Sequence, residues 1–522
     1  MRVDADVAIV GSGFAGSLTA LALRSRGKRV VLLERGRHPR FAIGESSTPL
    51  ANLLLEEIAD RYELPQIRPF SKWGTWQRAR PDIAGGLKRG FTFYFHSPGQ
   101  PFADDAVRSR QLMVAASPHD DIGDTHWYRP DFDSNLVREA QAADAVYLDQ
   151  TAIDRVAFGH EGVTLEGSRG GESVRIQASF VVDASGPRGF LARALQLDAP
   201  SLRWLPPTQG LYTHFENVAR WDSLAVSQSL EGAQPPYPPD EAALHHVFPG
   251  GWIWVLRFNN GVTSAGAALT DAAAERGGAV DGEPAWQRLL ESLPSIGEQF
   301  AHARAVQPWI HAPRLAFRTR QVCGEKWALL PSAAGVIDPL LSTGFPLTLL
   351  GIERLVSALD ADPGPARDAA LLAYERMTLA ELDATELLVA ALYASMADVP
   401  LFTRLTLLYF AAASFSEAAR RLSRPELAPG FLLTAHPGFN QELRTCCERS
   451  LASPADEERE ALLARIDRAI EPFDVAGLLD RSRRNWHPAL AADLVANAWK
   501  LRASTEEVER LLERCGFTAR QA

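Results

Sequence analysis

The chain has 522 residues, a length that predicts two or three domains, and its 46% hydrophobic and 23% charged content is typical of a globular protein. The net charge of −10, with no basic block, argues against a nucleic-acid partner, because such binding depends on cationic contacts to phosphate. The four cysteines form no CxxC pair, which favours reduced thiols, no metal and a cytoplasmic location. The longest apolar run, Leu401–Ala413, contains Arg404 and is too short to span a bilayer, so we expect no membrane association.

The N-terminal stretch has the order strand, glycine-rich turn, helix, strand and acid. A buried run ends at Val10, Gly11-Ser-Gly13-Phe-Ala-Gly16 follows, and a second predicted strand ends at Glu34. In this arrangement the first glycine permits the turn, the second admits a pyrophosphate and the third lets helix and strand pack closely. The helix N-terminus attracts the phosphates, and the acid accepts from a ribose hydroxyl. The stretch therefore predicts a dinucleotide cofactor held by Gly11, Gly13, Phe14, Ala15, Gly16, Glu34 and Arg35.

The next elements follow from apolar patterns and turn residues. A helix is predicted from Leu50 to Arg61, a strand over Phe91–Phe95 and a helix ending near Ala142, whereas residues 65–81 and 100–124 read as irregular. Short strands over residues 146–182 predict an antiparallel ribbon that returns to the nucleotide-binding sheet. It ends in Asp183-Ala-Ser-Gly186, where a second loop would reach the ligand.

Four regions are predicted along the whole chain. They are a cofactor-binding region with a Rossmann-type core (1–208), a mixed-sheet substrate region (209–320), a return to the cofactor-binding region (321–364) and a helical C-terminal region (365–522). Helices in the last region are predicted over residues 369–399, 401–422, 455–469, 488–498 and 505–515. Pro437-Gly438 reads as a break between helices.

Five blocks carry a resemblance to a known family. They are the glycine stretch, Gly44-Glu-Ser-Ser-Thr-Pro49, Lys88-Arg-Gly-Phe-Thr-Phe93, Gly251-Trp-Ile-Trp254 and Ile337-Asp-Pro-Leu-Leu-Ser-Thr-Gly344. From about residue 4 to about residue 360 the chain resembles the flavin-dependent halogenases, and its helical tail is similar to that of the branch acting on free phenols, such as a phloroglucinol halogenase. The resemblance implies an α/β fold of the p-hydroxybenzoate-hydroxylase-like FAD-binding type (Rossmann-type, GR2).

The resemblance also implies a reaction. FADH2 supplied by a separate flavin reductase would react with oxygen to give a C4a-hydroperoxide, and chloride or bromide would attack it to give hypohalous acid. A lysine would then present the halogen to a small phenolic substrate. A homodimer is compatible with this reading. No second GxGxxG motif for NADPH is visible, which supports an external reductase.

Lys88 is the expected halogen-delivering residue. Its block matches the family's lysine-bearing strand, and the neighbouring Phe91, Phe93 and Phe95 would desolvate the amine and lower its pKa. Lys72, also followed by an aromatic residue, is a rival whose downstream pattern does not match. The alternative for Lys88 is an ordinary lysine at the surface, where most lysines lie.

Trp252 and Trp254 match the family's Trp-x-Trp-x-Ile-Pro motif, thought to keep substrate away from the flavin. Leu256 and Arg257 replace its last two residues. By strand alternation Leu256 joins the tryptophan face, whereas Val255 and Arg257 point the other way. Either tryptophan alone could instead be ordinary core.

Thr343 and Gly344 match the family's halide site, where consecutive N–H groups before a helix would bind an anion. A simple helix N-cap is the alternative, and both readings can hold at once. Tryptophan halogenases carry a glutamate at the position of Leu341, so the substitution favours a phenol. Related hydroxylases have Gly-Asp where Pro331-Ser332 stands.

Further cofactor contacts are implied by the resemblance. Arg129 could equally form an ion pair with Asp131 or Asp133, and His245-His246 lacks a third metal ligand. The helices around 401–415 are expected to roof the substrate pocket. The implied cofactor contacts are Gly44, Glu45, Ser46, Arg129, Asp183, Asp338 and Gly344.

Three other functions remain open from the sequence. A flavin monooxygenase that hydroxylates an aromatic compound is left open by Arg257. A C=C reductase similar to geranylgeranyl reductases shares the fold and Asp338-Pro-Leu, but would not need Lys88 or paired tryptophans. A non-catalytic flavoprotein is the third.

Overall fold

A computed structural model of the chain describes residues 1–187, 189–197, 202–224, 234–277 and 282–517. The strands are β1 (Arg2–Val10), β2 (Val30–Leu33), β3 (Gly85–Lys88), β4 (Gly90–Phe95), β5 (Gln111–Ala115), β6 (Asp124–Trp127), β7 (Val146–Leu148), β8 (Thr151–Gly159), β9 (Gly162–Arg169), β10 (Glu172–Asp183), β11 (Thr208–Glu216), β12 (Ala243–Phe248), β13 (Gly251–Arg257), β14 (Thr263–Thr270), β15 (Arg304–Ala305), β16 (Ile310–Ala312), β17 (Phe317–Arg318), β18 (Cys323–Gly324), β19 (Trp327–Leu329), β20 (Gly335–Val336) and β21 (Trp486–His487).

The helices alternate with these strands and dominate after residue 344. They are α1 (Phe14–Ser25), α2 (Pro49–Arg61), α3 (Trp73–Ala79), α4 (Arg129–Ala142), α5 (Phe190–Ala194), α6 (Asp271–Gly277), α7 (Glu283–Glu291), α8 (Pro294–Gln299), α9 (Pro331–Ala334), α10 (Gly344–Asp360), α11 (Pro365–Ala394), α12 (Val399–Arg421), α13 (Pro437–Leu451), α14 (Asp456–Ile470), α15 (Ala491–Ala496) and α16 (Thr505–Cys515).

The first sheet has the order β18-β19-β10-β1-β2-β7, and β8 and β9 extend it beside β10. Strands β2, β1, β10 and β19 run parallel, while β8, β9 and β10 form the predicted antiparallel ribbon. β1 ends at Val10, β2 at Leu33 and β10 at Asp183, so their carboxyl ends meet at one edge. A doubly wound sheet binds its ligand at such an edge.

The second sheet has the order β15-β11-β14-β13-β12-β4-β5-β21, with β16 also paired to β11. It is mixed, because β12 pairs in parallel with β4 and β21 with β5, while the other pairs are antiparallel. Strands from the regions predicted as 1–208, 209–320 and 365–522 therefore interleave in one sheet. The predicted domain boundaries themselves stay a prediction.

The main hydrophobic core lies between the first sheet, helices α1, α10, α11 and α12, and one face of the second sheet. A separate cluster covers the other face of the second sheet, around Trp221 and Trp286. The alternation along β13 divides its side chains between the two. The mixed α/β sheets and the helical C-terminal region confirm the predicted fold class.

Several local predictions were wrong. The segment predicted as irregular over 100–124 contains β5, and that over 65–81 contains α3. Pro437-Gly438 does not break a helix but begins α13, because proline is tolerated in a helix's first turn, and His436 accepts from the Phe439 N–H as its cap.

α12 is longer than the apolar run predicted from the sequence. By length and composition it is long and apolar enough to cross a membrane. In its most apolar window 72% of the residues are buried inside the protein, which is also what a core helix shows. Within this fold α12 packs against α2, α11 and α14.

Candidate active site

The glycine stretch has the geometry that its sequence predicts. Gly11 has φ of +104°, and a Cβ there would lie 2.5 Å from the Ala184 carbonyl oxygen. A Cβ on Gly16 would lie 1.9 Å from the Gly11 oxygen, so α1 could not approach the turn with any larger residue. Both assigned roles, turn formation and close packing, are therefore confirmed.

A cavity of about 340 Å³ lies beside this turn. It is lined by Gly11 and Glu34 and by three arginines, Arg35, Arg40 and Arg193. Gly13 precedes α1 without a side-chain cap, so the N–H groups of the first turn remain available to a ligand. A site with glycine backbone, a helix N-terminus and positive charge fits the pyrophosphate of FAD.

Glu34 is held as an acceptor at the end of β2. One carboxylate oxygen accepts from the Ser12 N–H and hydroxyl at 3.3 and 2.9 Å, and the other accepts from the Gly36 N–H at 2.8 Å. Burial would raise the pKa of Glu34, but the Arg40 guanidinium and these hydrogen bonds outweigh it and lower the pKa. The carboxylate is thus ionised at neutral pH, as an acceptor for a ribose hydroxyl must be.

Lys88 is fully buried at the end of β3. Its Nζ donates to the Ser46 hydroxyl at 2.9 Å and to the Ser47 carbonyl at 2.5 Å, and lies 3.6 Å from the centroid of the Phe91 ring. Burial lowers the pKa of Lys88, as predicted. Lys72, the rival, is partly exposed and lies 3.7 Å from the Glu56 carboxylate, an ordinary ion pair.

Asp124 lies opposite Lys88 in the β3–β6 pair, and sequence reasoning missed it. One carboxyl oxygen accepts from the Asn52 amide at 2.9 Å. Burial raises the pKa of Asp124, and the nearby Lys88 charge opposes the rise. No motif signals this residue. Only the register of two short strands brings the carboxyl group to the lysine.

The paired tryptophans form one face of β13, as predicted. Trp252, Trp254 and Leu256 belong to the main core, and the two indole rings are 5.7 Å apart. Arg257 points to the other face, where it donates to the Asp240 carboxylate at 2.9 Å and the Val218 carbonyl at 3.0 Å. Arginine in place of the motif's proline therefore leaves the tryptophan face intact.

The loop before α10 is built on two left-handed residues, Leu341 with φ of +63° and Ser342 with φ of +54°. Thr343 returns to helical angles, and α10 begins at Gly344. Such a turn aims successive N–H groups in one direction. A Cβ on Gly344 would meet no atom within 4 Å, so there is open space beside Gly344. Tyr409 from α12 supports the loop by donating to the Leu341 carbonyl at 2.9 Å.

The chain is similar to known proteins along most of its length. A family model for FAD-dependent oxidoreductases matches residues 6–117, and a model for tryptophan halogenases matches residues 126–405. The chain is 31% identical over 408 residues to monodechloroaminopyrrolnitrin halogenase PrnC from Pseudomonas fluorescens, covering 76% of this chain and 69% of that protein. The chain belongs to the flavin-dependent halogenase family.

Another relative and a solved structure support the same family assignment. The chain is 31% identical over 368 residues to tetracycline 7-halogenase from Kitasatospora aureofaciens, covering 68% of this chain but only 64% of that enzyme. The crystal structure of halogenase PltM in complex with phloroglucinol and FAD superposes with a TM-score of 0.81 at 26% identity, covering 92% of this chain and 99% of PltM. The FAD-binding halogenase fold predicted for the chain is confirmed.

Arg129 of the halogenase forms one of the ion pairs that the sequence left open, the one with Asp133. It forms a buried, two-pronged ion pair with Asp133 at 2.8 and 2.7 Å, and it also donates to the Gly44 carbonyl at 2.9 Å. A Cβ on Gly13 would lie 3.3 Å from its guanidinium. Arg129 thus joins the Gly44 loop to the glycine stretch. Its contact with FAD stays a prediction.

Other predicted cofactor residues lie around the same region. Asp183 holds its own loop, accepting from the Ser185 N–H at 2.9 Å and the Leu191 N–H at 2.6 Å. The Glu45 carboxylate is buried 2.9 Å from His214 Nε2, a partner that the sequence did not suggest. Phe14 packs against Phe345, 4.9 Å between ring centroids, and so connects the two ends of the site. Direct FAD contacts by these residues stay predictions.

Asp338 is the centre of a buried hydrogen-bonded group. Its carboxylate accepts from the Leu340 N–H at 3.0 Å, from the Trp252 indole at 3.3 Å and from the Tyr393 hydroxyl at 2.8 Å. Burial raises the pKa of Asp338 to about 6. The loop before α10, the tryptophan face and α11 are therefore tied together at one carboxylate. Tyr393 lies in the helical tail and had no sequence signal.

A second cavity, of about 190 Å³, is lined by Phe91 and Asp124 among other residues. Tyr409 and Phe410 of α12 line it. The helices around 401–415 thus reach this cavity, and their role as the roof of the substrate pocket stays a prediction. Part of its wall comes from tail residues between 475 and 517, which the sequence did not place there. These lining residues are Val475, Ala476, Leu478, His487, Pro488, Ala489, Leu490, Leu494, Leu511, Leu512, Cys515 and Phe517.

His245 and His246 point to opposite sides of β12. His245 stacks on Phe93 at 4.5 Å, whereas His246 bonds to His96 and Gln299. In the described part of the chain, no group of three or more His, Cys, Asp or Glu residues could hold a metal ion.

Proposed function

We propose that this halogenase uses reduced FAD, oxygen and chloride or bromide to halogenate a small, electron-rich phenol. The main support for the proposal is the burial of Lys88. Its amine packs on Phe91 and lies beside Asp124, and Phe91 and Asp124 line the 190 Å³ cavity. A cavity of 150 Å³ holds a benzene ring, so this volume suits one substituted aromatic ring.

The FAD-binding residues and the substrate cavity would have separate roles in the reaction. The glycine stretch, Glu34 and the arginines around the 340 Å³ cavity would hold FAD, which when bound supplies the oxidising power that converts halide to an electrophilic halogen. The backbone at Thr343 and Gly344, next to the open space at Gly344, would bind the halide. Trp252 and Trp254 would keep the phenol away from the site of oxidation, so that halogen rather than oxygen reaches the ring.

Lys88 would receive the halogen next to the substrate cavity, behind its lining residues Phe91 and Asp124. Desolvation lowers the pKa of its amine, which makes the neutral, nucleophilic form more available than in a surface lysine. Its bonds to Ser46 and Ser47 fix Nζ in position. The carboxylate that tryptophan halogenases carry at position 341 is replaced by Leu341, which supports a phenol, whose own hydroxyl activates the ring.

Two features of the proposal concern partners and location. The reduced flavin would come from a separate flavin reductase, as expected from the single nucleotide-binding motif. PltM, whose structure contains phloroglucinol, supports a free phenolic substrate, and a homodimer is compatible with the fold. The four cysteines are free, and three of them are buried, which supports the proposed cytoplasmic location.

The test supplies the purified enzyme with a flavin reductase, NADH, FAD, oxygen and either chloride or bromide. Resorcinol, phenol and tryptophan serve as substrates, and products are read by mass spectrometry. We expect chlorine or bromine isotope patterns with the phenols and a dependence on added halide. Hydroxylated products without halogen would support the monooxygenase reading instead.

A further inference from the structure

The 190 Å³ cavity contains polar atoms that the protein leaves without partners. Asp124 Oδ2, Asn52 Oδ1 and His487 Nδ1 are buried and have no hydrogen-bond partner among the described residues, and all three residues line the cavity. A buried polar atom without a partner is destabilising, so three around one cavity point to a ligand.

All three atoms are acceptors. The Asn52 amide N–H donates to Asp124 Oδ1, so the amide oxygen of Asn52 takes no part in that bond. Burial lowers the pKa of His487 to about 4, so the ring is neutral at pH 7. Since Nδ1 has no partner, the ring nitrogen that bonds to the Gly477 backbone is Nε2. The remaining Nδ1 therefore accepts. A ligand that satisfies this cavity must bring hydrogen-bond donors.

The other charged groups of the cavity are already paired. Arg421 lies 2.7 Å from the Glu417 carboxylate and 3.3 Å from that of Glu56, which also faces Lys72. The remaining walls are apolar, with Phe91 and Phe410 in contact at 5.0 Å between ring centroids. Donors on an aromatic ring, that is hydroxyl groups, are the chemistry that fits both parts of this wall.

We propose that Asp124 is a catalytic residue of the halogenase, accepting the proton of a substrate hydroxyl while Asn52 orients the carboxylate. This inference rests on the proposed function. Asp124 lies in register with Lys88 on the paired strands β3 and β6, so the proposed proton acceptor, which lines the cavity, is next to the proposed halogen donor. Asn52 is a positioning residue, since its amide fixes Oδ1 and leaves Oδ2 for the substrate.

The proposed step transfers a proton to Asp124 and a halogen to the ring. The hydroxyl O–H bond breaks, its proton goes to Asp124 Oδ2, and its electron pair enters the ring. A ring carbon forms a bond to the halogen of the hypohalous acid that Lys88 holds by a hydrogen bond, and the halogen–oxygen bond breaks. The departing hydroxide takes the proton from Asp124 and leaves as water. The proton on the halogenated carbon then moves to the substrate oxygen through solvent, which restores the aromatic phenol.

The groups that face Asp124 suit this role. They are Lys88 from β3, Asn52 from α2, and Tyr409, Glu417 and Arg421 from α12. Burial raises the pKa of Asp124, the Lys88 charge lowers it and Glu417 raises it again, while Asn52 and Arg421 oppose the rise. A carboxylate whose pKa is raised toward neutrality is a stronger base than an exposed one, which favours proton transfer from a phenol.

The experiment compares Asp124→Asn with wild type on two phenols, resorcinol and 4-nitrophenol, at a mildly alkaline pH where the nitrophenol is ionised and resorcinol is not. Asn keeps the shape and the contact with Asn52. We expect kcat for resorcinol to fall by about 100-fold or more, and kcat for the nitrophenol to change little. The resorcinol rate of the variant should rise with pH as the substrate ionises in solution. Asp121→Asn, at an exposed neighbouring carboxylate, is the control and should match wild type.

Three results would overturn the inference. Equal losses on both phenols, or a flat pH profile of the variant, would show that Asp124 acts only by supporting Lys88. Wild-type enzyme that halogenates neither phenol would refute the proposed function itself, and this inference with it. FAD binding, followed by flavin fluorescence, reports folding. If Asp124→Asn does not bind FAD, Asp124→Glu takes its place, and it must retain more activity on resorcinol than Asp124→Leu.

Discussion

Tyr393→Phe removes one hydroxyl from the buried group around Asp338. That hydroxyl donates to Asp338 Oδ2 at 2.8 Å and accepts from the Trp252 indole at 3.2 Å. The ring itself is unchanged, so no cavity larger than an oxygen atom forms. Asp338 Oδ2 loses the donor that it has in the wild-type protein, while Oδ1 keeps those of Leu340 and Trp252.

The expected loss of stability depends on pH. A buried acceptor left without its donor costs about 1–3 kcal/mol, and more when it is charged, so we expect a loss of about 3 kcal/mol at pH 8. Burial raises the pKa of Asp338 to about 6, above the unfolded value of about 3.9. Between these two pKa values Asp338 is protonated in the folded state and ionised in the unfolded state. The free energy of unfolding of the wild-type protein therefore falls as pH rises from about 4 to about 6.

At pH 5 Asp338 is mostly protonated in the folded wild-type protein. A neutral acid needs the tyrosine donor less, so the loss at pH 5 should be about 1 kcal/mol. Loss of the donor also disfavours the ionised form, and the pKa of Asp338 in Tyr393→Phe should rise further. The variant should then lose stability over a window of pH that extends above that of wild type.

Urea unfolding at pH 5 and pH 8 measures these differences. The matched control is Tyr374→Phe, because the equally buried Tyr374 hydroxyl donates to the Leu329 carbonyl, a group that does not titrate. Its loss should be the same at both pH values. Equal losses for Tyr393→Phe at pH 5 and pH 8 would refute the reasoning, since they would show that Asp338 is not the titrating partner.

Three further predictions concern the site itself. Lys88→Met should lower halogenation of resorcinol by about 100-fold or more, with FAD affinity unchanged, as measured by product yield and flavin titration; full activity would exclude Lys88 as the delivering residue. Gly344→Ala should fold, since its Cβ meets no atom within 4 Å, but should raise KM for chloride in initial-rate assays; an unchanged KM contradicts the halide site. Arg129→Met should lower the free energy of unfolding by about 3–5 kcal/mol in urea, because buried Asp133 loses its partner; a loss below about 1 kcal/mol would contradict this.

The sequence predicted the parts of the site that depend on neighbouring residues. Gly11 and Gly16 could be assigned because a tight turn before a helix constrains the backbone within a few residues. The tryptophan face followed from the two-residue period of a strand, which also placed Arg257 on the opposite side. Each of these inferences needs only the local backbone, which the order of residues specifies directly.

The rest of the site depends on contacts between distant segments. Asp124 meets Lys88 through the register of two short strands, and Tyr393 reaches Asp338 from a long helix whose inward face has no special pattern. β5 lies within a polar stretch whose residues predict a loop. It is a strand because it pairs with β4, and that pairing cannot be seen in the stretch itself. Propensity and periodicity carry no information about such partners, so these residues could not be predicted.

The lining of the 190 Å³ cavity has a consequence for biosynthesis and for engineering. The glycine stretch and Glu34 leave the ribosome early, but the wall formed by residues 475–517 is translated last. The cofactor-binding sheet can thus form before this cavity is complete. Changes at His487, Leu511 or Phe517 alter the cavity without touching the sheet that holds the glycine stretch. Under the proposed function, residues 475–517 are therefore the segment in which to vary the accepted substrate.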